Sequence, residues 1–204
     1  MTRHISPFTA CAATLVAAFC WLSSLTAYAA EASAVEAHVT QNGKEVDLDT
    51  SFTVPVSKDV AWDVLTDFEH MPQFIPNMAS SKILDKDGNK WKVEQTGKVS
   101  AGLFHISYDS VREITLTPKS EIKAHTVGGD SGAMESVSTL TEKNGETVVS
   151  YRAQWTPNSS LLGSLGAGSA KSQLQRQFAA FENEMLKRGG HKPKAETASE
   201  SAKN

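Results

Sequence analysis

Two different periods organise the chain. Val60, Ala61, Val64, Leu65 and Phe68 recur at helical spacing, whereas from Ala79 to Trp155 apolar and polar residues alternate. The helical stretch follows "DLDTSFTVPVS", a run of β-favouring residues that reads as a strand up to Pro55 and Ser57. Ser57 suits an N-cap and Asp59 complements the dipole of the first turn. Pro72 removes a backbone donor and breaks the helix, leaving "QFIPN" room for a short second helical turn before Pro76.

The alternating region is punctuated by "DKDGNK", "SAG", "TPKSE", "GGDSGA" and "EKNGE", which divide it into about six antiparallel strands. One side is apolar, with Trp91 and Val93, then Phe104, Ile106 and Tyr108, then Ile122 and Ala124, then Met134 and Leu140, then Val149, Tyr151, Ala153 and Trp155. Lys92, Glu94, His105, Asp109, Lys123, Glu135, Arg152 and Gln154 take the other side, as in a half-solvated sheet. A Ser/Gly/Leu connection over Asn158–Gly168 leads into "AKSQLQRQFAAFENEMLKRGG", a long helix with Leu174, Phe178, Phe181 and Met185 on one face, stopped at Gly189. The predicted class is α+β: a strand, two short helices, about six further strands and a long C-terminal helix.

The two ends read differently. Residues 1–29 carry a mildly positive start, an apolar run from Phe8 to Leu25 and the small-x-small site Ala27-Tyr28-Ala29, the grammar of a secretory signal peptide. Residues 30–45, alanine-rich and polar, are expected to be a flexible N-terminal segment, and residues 189–204 a disordered tail. The folded domain is assigned to residues 46–188, with a periplasmic or secreted location after cleavage.

Both cysteines, Cys11 and Cys20, fall inside the leader, so the mature chain carries no thiol chemistry. A net charge of −3 and a pI near 6.1 offer no basic field for nucleic acid, which is excluded as a partner. His38, His70, His105, His125 and His191 lack metal-ligand spacing, and no metal or cofactor is expected. "GGDSGA" contains the Gly-Asp-Ser-Gly string of chymotrypsin-like nucleophiles, but it joins two alternating segments as a hairpin loop does. It is no phosphate loop either, because no helix N-terminus follows it. Asp67, Glu69, Glu94, Asp109 and Arg152 form no visible acid–base pair, so no catalytic residue is assigned.

The segment "VPVS" followed by "KDVAWDVLTDFEHMPQFIPNMASSKIL" resembles the opening of the START-like helix-grip (SRPBCC) superfamily, in its polyketide cyclase/dehydrase and coenzyme Q-binding branch. The sharpest part of the resemblance is Trp62 through Pro76, and the whole spans Ser51 to about Arg188. It implies a curved antiparallel sheet of about seven strands wrapped around the C-terminal helix, with a cavity between them and the short helices at one end. The cavity walls expected on that basis are Met71, Phe74, Ile75, Trp91, Val93, Phe104, Ile106, Tyr108, Met134, Ser136, Tyr151, Trp155, Leu174 and Phe178. Small residues at Gly163, Gly166, Ala167, Gly168 and Ala170 would leave space ahead of the helix.

Three functions are compatible with this reading. The leading one is a monomeric exported protein that holds a small hydrophobic ligand: a lipid, an isoprenoid quinone or a polycyclic compound. The second is a cyclase/dehydratase-like enzyme in which Tyr108, Ser136 and Tyr151 polarise the substrate. The third is an envelope adaptor that uses the helix or an edge strand.

Overall fold

The computed structural model describes residues 35–101, 104–158 and 166–191, with backbone alone at Ser100, Ala101, Phe104, His105 and Gly166. The leader, residues 30–34, the connection over 159–165 and the tail beyond His191 lie outside the described residues.

Eight strands form one antiparallel sheet: β1 (Glu36–Asn42), β2 (Glu45–Val54), β3 (Met78–Asp87), β4 (Lys90–Ala101), β5 (Phe104–Thr117), β6 (Glu121–Gly129), β7 (Ala133–Lys143) and β8 (Glu146–Thr156). Their spatial order is β1-β2-β8-β7-β6-β5-β4-β3. The meander from β3 to β8 is thus extended by β2, which pairs with β8. Helix α1 (Lys58–Thr66), a 3-10 turn (Phe68–Gln73) and helix α2 (Gly166–Arg188) complete the fold, with α2 packed on β1, β2 and α1.

The expectation of a flexible segment over residues 30–45 is corrected from Val35 onward, where an additional strand forms, while residues 30–34 lie outside the described residues. Val35 and Ala37 are buried, and β1 pairs with β2 from Glu36↔Ser51 to Asn42↔Glu45. Thr50 Oγ1 donates to the Glu36 carbonyl at 2.6 Å and Gln175 Nε2 on α2 donates to the Val35 carbonyl at 3.3 Å. The strand carries only small apolar residues, so its alternation is faint until β2 supplies the ladder and α2 covers its inner face.

Local signals explain the helices. Ser57 Oγ accepts from the Val60 amide at 3.4 Å, capping α1, whose Ala61, Val64 and Leu65 are buried. The second helical turn forms earlier than expected, with Pro72 inside it rather than ahead of it. A short 3-10 turn tolerates this because few of its amides need partners. The Ile75 amide then closes on the Met71 carbonyl at 2.8 Å. Helix α2 ends in a Schellman motif: His191 N donates to Leu186 O at 2.8 Å, Gly190 N donates to Lys187 O at 3.2 Å, and Gly190 takes the left-handed conformation, φ 77°.

The interface between sheet and α2 divides in two. Toward the C-terminal end of α2, Val64, Val93, Ile114 and Met185 are fully or almost fully buried, and Phe68 meets Trp91 edge to face with centroids 5.8 Å apart. Phe178 stands at the centre of a ring cluster with Phe52, Tyr151 and Phe181. Toward the N-terminal end, α2 presents Ala170, Gln173, Leu174 and Gln177 to a hole that remains between helix and sheet.

Candidate functional site

This interior cavity measures about 220 Å³. Its floor is the concave face of β4, β5 and β8, through Gln95, Val99, Tyr108, Ser110, Arg112, Tyr151 and Trp155. The roof is the first half of α2, and the elbow Ile75–Met78 forms one rim. That elbow is held by the Met71 carbonyl and by a hydrogen bond from the Lys98 amide to the Asn77 carbonyl at 2.9 Å.

Of the walls expected from sequence, the cavity brings together Ile75, Tyr108, Met134, Tyr151, Trp155 and Leu174. The others lie elsewhere. Met71 is buried beside Gln95, whose Nε2 contacts its sulfur at 3.4 Å, and Phe74 meets Phe181 edge to face with centroids 5.8 Å apart. Trp91, Val93 and Phe178 belong to the packed half described above. Ser136 on β7 lies outside the lining, and the Tyr151 hydroxyl points to the Met134 sulfur at 3.9 Å. Ile106 is half-buried on β5 outside the lining, and the Phe104 side chain lies outside the described residues. The physical reason is common to Met71, Phe74, Trp91, Val93 and Phe178. Alternation tells which side of a strand faces inward but not how far along the helix the large side chains fill the gap.

Arg112 was not anticipated, and it dominates the chemistry of the cavity. It sits in the inward row of β5 between Ser110 and Ile114, opposite Val93 of β4. Its Nη2 donates to Gln95 Oε1, and Gln95 Nε2 donates to Ser81 Oγ at 3.2 Å, fixing the amide. Arg112 Nε is buried without an acceptor, as is Nε2 of Gln173 on the roof. None of the ion pairs among the described residues includes Arg112. Burial disfavours its charged form and pulls its pKa below the ordinary arginine value, an effect the Tyr151 and Tyr108 oxygens oppose. Burial likewise pushes both tyrosines above 10, with the cation beside them opposing, so at neutral pH they remain protonated donors. The signal was present in sequence: the inward period of β5, Tyr108-x-Ser110-x-Arg112-x-Ile114, carries a cation where an apolar residue is the rule.

Two glycines shape the rim. A Cβ at Gly97 would collide with the Asn77 carbonyl and stand 2.7 Å from Tyr108 Oη, so the missing side chain lets the Tyr108 ring lie flat on β4. Gly132, at φ 98°, allows the β6–β7 loop to fold back, where the Ser131 carbonyl accepts from Trp155 Nε1 at 2.8 Å. The "GGDSGA" string is this hairpin loop.

A larger trough of about 690 Å³ lies on the sheet's outer side, lined by Asp47, Asp49, Lys123, His125, Glu135 and Arg152 among others. It is shallow and open, and its polar groups are partly satisfied by one another, as in Arg152–Asp49 at 2.9 Å. The interior hole, apolar with a few convergent polar groups, is the better ligand site.

An open antiparallel sheet gripping a C-terminal helix over such a cavity defines a START-like helix-grip protein. The chain belongs to the family described as polyketide cyclase / dehydrase and lipid transport, which matches residues 54–182. Among solved structures it is similar to a STAR-related lipid transfer protein from Xanthomonas axonopodis, with TM-score 0.64 and 14% identity over 76% of this chain and 95% of that one. It is also similar to a START superfamily protein from Mycobacterium smegmatis, with TM-score 0.59 and 14% identity over 70% and 98% of the two chains. An aromatase/cyclase from Streptomyces sp. R1128 gives TM-score 0.53 and 18% identity over 72% and 94%. A comparison with curated proteins finds no match.

Proposed function

We propose that the chain is an exported binding protein that holds a small, mainly apolar molecule between sheet and helix, in the periplasm or outside the cell. The observation that carries the reading is the cavity itself, walled by Ile75, Met134, Trp155 and Leu174 between helix and sheet. The lipid-transfer protein that it resembles in fold supports the ligand class. Export rests on the leader grammar of residues 1–29. Native mass spectrometry of the full chain purified from its own host is expected to reveal a co-purifying organic molecule, and the mature mass to lack the leader. Repeated preparations that carry nothing, and whose unfolding temperature no hydrophobic compound raises, would overturn the reading.

A second reading is an enzyme of the cyclase kind, favoured by the convergence of Arg112, Tyr108 and Tyr151 on one space. These are hydrogen-bond donors rather than groups poised to exchange protons near neutral pH. They therefore suit holding a ligand, or polarising a carbonyl, better than acid–base transfer. Conversion of a poly-β-ketone mimic by wild type, lost in Tyr151→Phe, would favour the enzyme.

A further inference from the structure

We propose that the guest of this cavity is an amphipathic acid, whose carboxylate is held by Arg112 while its apolar body lies against Trp155, Met134 and Leu174. The inference rests on the ligand-site reading above and adds the chemistry of the head group.

Four observations converge on it. First, Arg112 lines the cavity, with Nε buried and lacking an acceptor. A guanidinium taken out of water is stable only when its donors are satisfied, and a neutral amide oxygen on one nitrogen leaves it undercompensated. Second, Gln173 Nε2 on the opposite wall is also buried without an acceptor, so a second donor awaits an oxygen in the same space. Third, the lining contains Arg112 and Lys98 but no Asp or Glu, although the chain as a whole carries −3. Fourth, Gln95 occupies Nη2 and is itself tied to Ser81, which holds the guanidinium plane with Nε left over. An acceptor oxygen with full negative charge meets all of these requirements, and the planar fork of arginine suits a carboxylate. The tyrosine hydroxyls of Tyr108 and Tyr151 share the lining and can donate to the same head group.

Matched pairs with one apolar body test the proposal: decanoate against 1-decanol, and 2-naphthoate against 2-naphthylmethanol. Binding to the full mature chain is followed by calorimetry and by tryptophan fluorescence, to which Trp155 on the cavity wall contributes beside Trp62 and Trp91. Wild type is expected to prefer each acid to its alcohol by about tenfold to a hundredfold, the range of a charge-assisted hydrogen bond. Arg112→Met should abolish the preference while keeping the alcohol, and Arg112→Lys should restore part of it. The acid should also lose its advantage as pH falls through the ligand's own carboxyl pKa. Tyr108 and Tyr151, whose pKa values burial pushes up, stay protonated as pH falls, and Lys98 is the other ionisable group on the lining. Should Arg112→Met not fold, Gln173→Leu serves instead, and it is expected to weaken the acid several-fold more than the alcohol.

Equal affinity for acid and alcohol in wild type would overturn the head-group assignment and leave the cavity reading intact. Binding of neither member of either pair would overturn both. An acid preference unchanged in Arg112→Met or in Gln173→Leu would also overturn the assignment.

Discussion

Tyr108 owes its place on the cavity wall to an absence one strand away. Gly97 faces it across the β4–β5 ladder, and a methyl there would press on the phenol ring at 2.8 Å and on the Asn77 carbonyl that ties down the elbow. Neither backbone can retreat without disturbing the rim. Gly97→Ala is therefore expected to destabilise the protein by about 1–3 kcal/mol. In a urea titration the midpoint should move with little change in slope, and a midpoint equal to wild type would show that the ring moves aside freely. The same scale holds what was least legible from composition. Arg112 stands out only when β5 is read by period, because one cation among 20 lysines and arginines carries no label of its own.

Between elements, the clearest joint is a small ionic clasp. Asp67, just after α1, hydrogen-bonds His70 Nδ1 at 2.6 Å and pairs with Arg188 of α2 at 2.8 Å, while Arg188 Nε also reaches Glu184 at 2.8 Å. Burial on its own would raise the Asp67 pKa, but hydrogen bonds from His70 and Arg188 outweigh it and hold the carboxyl below 3.8. A depressed acid stabilises the fold above its unfolded pKa, and that contribution fades as pH drops through the lower, folded value. Asp67→Asn is accordingly expected to lower the unfolding temperature at pH 7. The gap to wild type should close as pH falls below about 4, near the reference carboxylate pKa. A gap that persists unchanged at pH 2 would mean that the clasp acts through shape and not charge. Loss of the clasp would loosen α1 and the 3-10 turn from the end of α2, the packed half that anchors the helix over the cavity.

For the whole molecule the decisive feature is the edge formed by β1. Its removal would expose the β2 ladder and uncover the surface that buries Val35 and Ala37. A chain begun at Glu45 should lose about 2 kcal/mol or more, from the buried Val35 side chain alone, and should associate through the bared edge. Thermal unfolding and light scattering on the shortened chain check this, and wild-type behaviour would restore the flexible segment that composition suggested. The element order was largely legible because alternation, turn residues and a capped amphipathic helix are local signals. Strand β1 was not, since a strand of Ala, Val and polar residues becomes distinct only through its partners.

By itself the sequence determined the α+β class, the antiparallel meander, the helix-ending glycines and the resemblance to a helix-grip family. Each of these follows from propensities and periods that act within a few residues. Only the tertiary structure decided where the space between α2 and the sheet is left unfilled. That gap decided which inward residues became core, as Phe178 and Val93 did, and which became wall, as Trp155 and Tyr151 did. It also decided that Arg112 would face an empty space with a donor to spare. The reason is geometric: a side chain's direction is set along its own strand, but its neighbour is set by the curvature of eight strands and the position of one helix.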